Sequence, residues 1–384
     1  MGLTPQFKPE PQQRTNSPWL AGGLASNSEL GRIPFGRRFL AACCKVLQLN
    51  SRLTCKELAY SGTLLANSYE SWLEHIQPVT VPLALISQIQ RSGGSMLSQL
   101  FDGHRQVHAH PHELKVGYPK KHNWPPIDLN DPPDRWFEIL FEDIVVRHFR
   151  YGYKKMEKYK DTFLFIFLPF LQKQLFLNYL ESIDKIDQRD VFDAYMTSYF
   201  GAWVNNQNRL GDKKFITAFT PRMAFMETNM TSFFKIYPDG RLISVLRDPK
   251  NWFPSAKRHQ LDKYGDISKA LDQWNESTRS MVRNKKVYGD RVCIITFDDL
   301  VQHTESVMRY LADFLNIRFD DILLTPTFNK ILIKPNTSFK LENPGIMISA
   351  LERYKMLSRE ELKIIEARTG DAYSQALSMV TSIP

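Results

Sequence analysis

Apolar residues in this chain fall into two kinds of run. The first kind is short and continuous. Residues 81–89, 215–219, 241–246 and 292–297 each gather Val, Ile, Leu or Phe and then meet Gly, Pro or charged residues. Runs of this length with polar turns behind them predict strands buried on both faces. The second kind repeats at three- and four-residue spacing, beginning with Met96, Leu97, Leu100 and Phe101. It recurs over 136–210, where Pro169 interrupts an aromatic-rich stretch, and over 223–237, 253–263, 267–288, 303–315 and 349–368. That spacing predicts helices with one apolar stripe. Strands alternating with helices predict an α/β fold, a central parallel sheet flanked by helices.

The same pattern divides the chain. Residues 1–30, rich in Pro, Gln, Ser, Asn and Gly, read as a disordered tail. Residues 31–80 read as a helical N-terminal extension, with Leu40, Cys44, Leu47, Leu64, Tyr69 and Trp72 on helical spacing. Residues 81–345 form the α/β domain, with a helical insert over about 114–240, and 346–384 form a C-terminal helical segment.

Composition narrows the class of partner. Among 384 residues, 50 Lys and Arg face 41 Asp and Glu, a net charge of +9, which favours anionic ligands. The four cysteines, Cys43, Cys44, Cys55 and Cys293, make no CxxC pair, so neither a disulfide framework nor a zinc finger is predicted. No apolar run approaches the roughly 18 residues that span a bilayer, and no export signal is evident. The expectation is a cytoplasmic protein.

Two segments carry chemistry. Gln90-Arg91-Ser92-Gly93-Gly94-Ser95-Met96-Leu97 joins the first apolar run to the first helical one. Backbone amides of such a turn converge on an anion, the two serines add hydroxyls, and Arg91 adds a guanidinium. The chain holds no Gly-Lys-Ser/Thr, so this is not a Walker A loop. The second segment leaves the 241–246 run as Arg247-Asp248-Pro249, and Ser255 follows Arg247 by eight residues.

These segments resemble those of the sulfotransferases. Many members of that family read Arg-Ser-Gly-Thr-Thr-Leu-Leu or Arg-Ser-Gly-Ser-Thr-Leu in the first loop, and here Gly94 stands where a hydroxyl residue is usual. The strand–Arg-Asp-Pro–Ser segment resembles the family's 3'-phosphate site, with Arg247 and Ser255 at the matching positions. Ile294–Leu300 with Leu311–Leu315 is similar to the family's strand ending Tyr-Glu-Asp-Leu and helix ending Phe-Leu-Gly, with Phe297, Asp298 and Asn316 as departures. The acidic residues there read as a helix start. Asn336–Phe339 looks like an Asn-Ser-Ser-Phe stretch of the family. The resemblance implies a P-loop nucleotide-binding type of sheet and 3'-phosphoadenosine 5'-phosphosulfate (PAPS) as sulfuryl donor. It implies that Arg91 and the amides of Ser92, Gly93, Gly94, Ser95 and Met96 stabilise the leaving phosphate. No metal is expected.

A third feature is the density of histidine: His104, His108, His110 and His112, four of the nine in the chain, precede Glu113. Three readings stand. His108, His110 and His112 at alternate positions can face one way and bind a metal; they can be exposed loop residues; or the segment can supply a catalytic base. The resemblance favours the last. In glycan- and tyrosine-modifying sulfotransferases a Glu about twenty residues after the first loop removes the acceptor proton. Glu113, 22 residues after Arg91, has that place, with His110 and His112 as rivals. The insert is then the acceptor site and lid.

The acceptor is a carbohydrate or other small-molecule hydroxyl. A nucleotide-dependent phosphotransferase is the alternative enzyme. A basic nucleic-acid-binding protein is the alternative outside enzymes, carried by the basic, aromatic 147–160 stretch, although no nucleic-acid partner is expected.

Overall fold

The computed structural model describes residues 76–116, 123–151, 165–333, Phe339 and 345–381. The expected tail and most of the N-terminal extension lie outside them, as do most of the 147–160 stretch and Asn336–Ser338. In chain order the principal elements are β1 (Leu83–Ile86), α1 (Gly94–Leu100), β2 (Val107–Glu113), α2 (Pro133–Leu140), α3 (Ile144–Tyr151), α4 (Pro169–Glu181), α5 (Gln188–Ala202) and β3 (Phe215–Phe219). They continue with α6 (Glu227–Ile236), β4 (Arg241–Leu246), α7 (Pro249–His259), α8 (Leu261–Tyr264), α9 (Ile267–Tyr288), β5 (Val292–Thr296), α10 (Phe297–Gln302) and α11 (Thr304–Phe314). Last come a two-stranded hairpin, β6 (Thr327–Phe328) and β7 (Ile331–Leu332), a 3-10 turn at Ile348–Met356 and α12 (Arg359–Leu377).

Strands β1 to β5 pair in parallel in the order β2-β3-β1-β4-β5. This is the expected central parallel sheet flanked by helices. The continuous apolar runs are explained by its two covered faces. On one face Ile86, Ile243, Val245 and Ile295 pack with Leu97, Leu100, Leu300, Val307 and Leu311 from α1, α10 and α11. On the other, Leu246 and Ile294 pack with Trp252, Trp274, Met281 and Ile365 from α7, α9 and α12.

Two details correct the sequence reading. The histidine segment is neither loop nor exposed: Val107–Glu113 is edge strand β2, and His104, His108 and His110 are buried. Histidine at alternate positions hid the strand, because imidazole does not register as an apolar periodicity. The helices α2 to α5 fill the connection between β2 and β3, and β3 itself lies in the sheet between β2 and β1, inside the 114–240 span read as insert. Asn316, which replaces the usual Gly, sits at φ 49° just beyond α11, a left-handed position that Asn tolerates better than most residues. In the apolar stretch from 165 to 179, Phe165, Phe167, Leu171 and Phe176 are buried.

Candidate active site

In a parallel sheet every strand delivers its following loop to the same edge, where ligands bind. Here the end of β2 and the loops after β1 and β4 meet at that edge, together with the C-terminal 3-10 turn. They surround one cavity whose lining includes Arg91, Gly93, Gly94, Ser95, Met96, Glu113, Phe219, Arg247, Phe297 and Arg353.

The first wall is the β1–α1 loop. Arg91 at φ 68° and Gly93 at φ 99° both take left-handed backbone, which reverses the chain ahead of α1. For Arg91 that conformation is strained, and the surroundings hold it. Gln90 is clamped from outside: its carbonyl accepts from Trp252 Nε1 at 2.8 Å and its Oε1 from the Tyr264 hydroxyl at 3.0 Å. The Met96 amide donates to the Gly93 carbonyl at 2.9 Å. It is therefore engaged within the first turn of α1, and Met96 is among the residues that line the cavity. Both glycines are sterically required. A Cβ on Gly93 would stand 2.5 Å from Phe297 Cδ2, and one on Gly94 would collide with Phe219 and the Gln88 amide. The departure from the usual hydroxyl at position 94 thus has a cause: the Phe219 ring occupies that space.

The second wall is cationic. Arg247, at the end of β4, is 3% exposed, and its guanidinium lies 4.2 Å over the Phe297 ring. It donates from Nη1 to the Arg91 carbonyl at 2.6 Å and from Nη2 to the Ala350 carbonyl at 2.8 Å. Burial, then the charges of Arg353 and Arg91, push Arg247 well below the ordinary guanidinium range. Burial followed by Arg91 and Arg258 does the same to Arg353. Burial also lowers Arg91. Positive charges that repel one another in a confined site create a strong preference for an anion. The Nε–H groups of Arg91 and Arg247 and the Ser255 hydroxyl are buried with no protein partner, so an incoming oxyanion fits the donors present. Ser92 and Ser255 are buried and are not among the lining residues.

Arg353 escaped the sequence reading. It lies in a 3-10 turn with no motif around it and reaches the cavity because the C-terminal segment packs on α7, where the Asn251 side chain accepts from the Tyr354 amide at 3.0 Å. Its guanidinium also lies over Phe339, 4.1 Å from the ring centroid, with Arg258 at 4.6 Å from the same ring. Phe297, one of the departures from the family pattern, is also a lining residue. The acidic helix start holds for Asp299, whose amide donates to Thr296 Oγ1 at 2.9 Å. The neighbouring Asp298 has a buried Oδ1 without a partner, and burial raises its carboxyl.

The same cavity is lined by Glu113, half-buried at the end of β2. A bulge delivers it. The four-residue step from Ala109 to Glu113 faces a two-residue step from Thr217 to Phe219 on β3. The excess chain at His110-Pro111-His112 bends the strand and re-aims the residues beyond it. Pro111, which has no amide hydrogen, is tolerated because β2 is an edge strand.

The histidines do not converge as a trio. His108 packs against Phe200, ring centroids 4.7 Å apart, and burial lowers it to about 3. His110 and His112 instead meet Glu142, which lies just after α2. His110 Nε2 lies 3.1 Å from Glu142 Oε1, and His112 Nδ1 lies 3.8 Å from Oε2. The metal reading of His108, His110 and His112 is therefore wrong in membership: His108 belongs to a different environment, and Glu142 takes its place. Neither His110 nor His112 lines the cavity. Among the described residues no helix is long and apolar enough to cross a membrane.

An anion-binding type of loop, buried arginines and an acidic residue thus gather in one cavity at the C-terminal edge of a parallel sheet. Residues 82–321, more than half of the chain, match the model of the sulfotransferase family. The chain belongs to that family. A 95-residue stretch is 25% identical to protein-tyrosine sulfotransferase A of Caenorhabditis elegans, covering 23% of this chain and 25% of that protein. The chain thus spans about a quarter of that relative's length. Among solved structures, the sulfotransferase domain of the Synechococcus PCC 7002 olefin synthase is 17% identical with a TM-score of 0.44, covering 81% of this chain and 98% of that one. The sulfotransferase domain from the curacin biosynthetic pathway is 15% identical with a TM-score of 0.42, covering 77% and 99%.

Proposed function

We propose that this chain transfers the sulfuryl group of PAPS to an acceptor hydroxyl, with Glu113 as general base. The observation that carries the reading is convergence. Arg91, Gly93 to Met96, Arg247 and Glu113 come from three separate strand ends and line one cavity. Glu113 takes the proton of the acceptor hydroxyl as its oxygen forms a bond to sulfur. The bond from sulfur to the bridging oxygen of the 5'-phosphate breaks, and 3'-phosphoadenosine 5'-phosphate leaves. Arg91 and the amides of Ser92 to Ser95 stabilise charge that develops on that oxygen, an effect that is strongest in a site sheltered from water. Arg247, with Ser255, binds the 3'-phosphate, and Arg353 adds a third guanidinium to the anion site. Most of the catalysis is placement and charge, as in phosphoryl transfer.

The acceptor is a carbohydrate or other small-molecule hydroxyl. The partial likeness to a tyrosine sulfotransferase adds peptide tyrosine to the acceptors worth screening with labelled PAPS. The donor assignment is tested by thermal shift. The 3',5'-bisphosphate is expected to raise the unfolding temperature more than AMP or ATP does. Equal shifts for AMP and the bisphosphate would remove the 3'-phosphate role of Arg247 and Ser255.

A further inference from the structure

We propose that Glu142, His110 and His112 form a buried positioning device for Glu113, holding the backbone on both sides of it so that its carboxylate stays directed into the cavity. The proposal rests on the reading of Glu113 as base.

The bulge creates the need. Between Ala109 and Glu113 strand β2 leaves its ladder with β3, so backbone groups lose their usual partners and must find others. Side chains supply them. His110 Nδ1 donates to the His112 carbonyl at 2.9 Å, and His112 Nδ1 donates to the Glu113 carbonyl at 2.9 Å. Glu142 Oε2 accepts from the Lys115 amide at 2.8 Å. Between those anchors the Leu114 amide returns to β3 by bonding the Phe219 carbonyl at 2.8 Å. Glu113 is thereby fixed from before and after.

The fixing groups are themselves locked. Glu142 Oε1 accepts from the Tyr195 hydroxyl at 3.0 Å and lies 3.1 Å from His110 Nε2. The Tyr199 hydroxyl is 2.8 Å from His112 Nε2. A carbonyl only accepts, so both Nδ1 atoms carry hydrogen. His112 is then the neutral tautomer whose Nε2 accepts from Tyr199. His110 Nε2 faces a carboxylate oxygen, so one proton lies between them. Burial opposes ionisation of Glu142, yet the His110 charge and hydrogen bond outweigh it and hold the carboxyl below its usual range. Burial, then the His110 charge, lower His112 to about 3.

The side chains of His110, His112 and Glu142 are 0%, 8% and 0% exposed, so no solvent competes for these bonds. The three could also hold a metal, since their ligand atoms lie within 4.8 Å of one another. Against that use, every ring nitrogen of the two histidines and both oxygens of Glu142 already have hydrogen-bond partners, and the set closes on itself. None of the three lines the cavity, which makes them positioning residues.

The test compares Glu113→Gln, His112→Leu, His112→Asn and Glu142→Gln. The readouts are turnover of saturating PAPS, followed as labelled sulfate released to water, and affinity for the bisphosphate product by calorimetry. His112→Leu and Glu142→Gln are expected to lower turnover about tenfold to a hundredfold, the range for a misplaced reacting group, with product affinity within about twofold. His112→Asn keeps an amide N–H beside the Glu113 carbonyl and is expected to recover most of that loss. Wild-type turnover in His112→Leu and Glu142→Gln beside an inactive Glu113→Gln overturns the positioning device and leaves the base reading intact. Wild-type turnover in Glu113→Gln overturns the base reading itself. Hydrogen exchange of the unmodified chain needs neither turnover nor stable variants: the Lys115 amide is expected to be strongly protected, and exchange at the rate of an open loop overturns the network. Stoichiometric zinc in the purified chain, lost in Glu142→Gln, overturns it in favour of a metal site.

Discussion

The two walls of the cavity obey opposite rules. On the arginine side, polar groups are buried and left open: the Nε–H groups of Arg91 and Arg247 and the Ser255 hydroxyl have no protein partner. On the Glu113 side, the polar groups of His110, His112 and Glu142 are buried and closed, their hydrogen bonds running to one another, to the backbone of residues 112–115 and to the Tyr195 and Tyr199 hydroxyls. Unsatisfied buried donors are costly to fold and are repaid by a ligand that brings oxygens. A closed network contributes rigidity and presents nothing to a ligand. One wall is built to receive charge, and the other to keep a single group still.

The comparison breaks most sharply at Glu113. Glu113→Gln keeps the shape and removes the proton acceptor, so single-turnover transfer at saturating donor is expected to fall by roughly 10²–10⁴ while bisphosphate affinity stays near wild type. A variant within about threefold of wild type would mean that the closed wall holds no base. Next in size is Arg247→Ala, expected to weaken the donor by roughly tenfold to a hundredfold, the value of a charge-assisted contact of about 1.5–3 kcal/mol. Arg91→Ala is expected to lower turnover as well, because its partner oxygen gains charge in the transition state. Titration calorimetry with kcat measurement separates them, and two variants that change affinity alone would remove the catalytic role of Arg91.

The smallest effect sharpens the arginine wall. Gly94→Thr restores the hydroxyl usual in the family but places a Cβ against Phe219 and Gln88. Thermal unfolding is expected to show a loss of about 1–3 kcal/mol, the range for overpacking. Phe219→Ala on the Gly94→Thr background is expected to return part of it. Full stability in Gly94→Thr would show that the loop has room to spare and that Phe219 is not the cause of the glycine.

Local and distant determinants divide along the same line. The strands 215–219, 241–246 and 292–296 were legible because both of their faces are covered, and burial on two faces writes continuous apolar runs. The loop after β1 was legible because its motif lies in consecutive positions, Arg91 to Ser95, whatever the rest of the chain does. Strand β2 was not legible: histidines take alternate positions along it, and the partners of His110 and His112, Glu142 and Tyr199, lie 30 or more residues away, as in the pair His110 and Glu142, 32 residues apart. Arg353 was not legible either, because its place beside Arg247 depends on the C-terminal segment packing across α7.

By itself, then, the sequence determined the parallel α/β frame and the anion loop, both products of short-range pattern. Tertiary structure alone decided which histidines are linked and that His108 stands apart from them. It also decided that a phenylalanine from β3 forces the glycine at position 94. Those outcomes depend on which side chains meet across the fold, and a buried polar group takes its role from the partner it finds there.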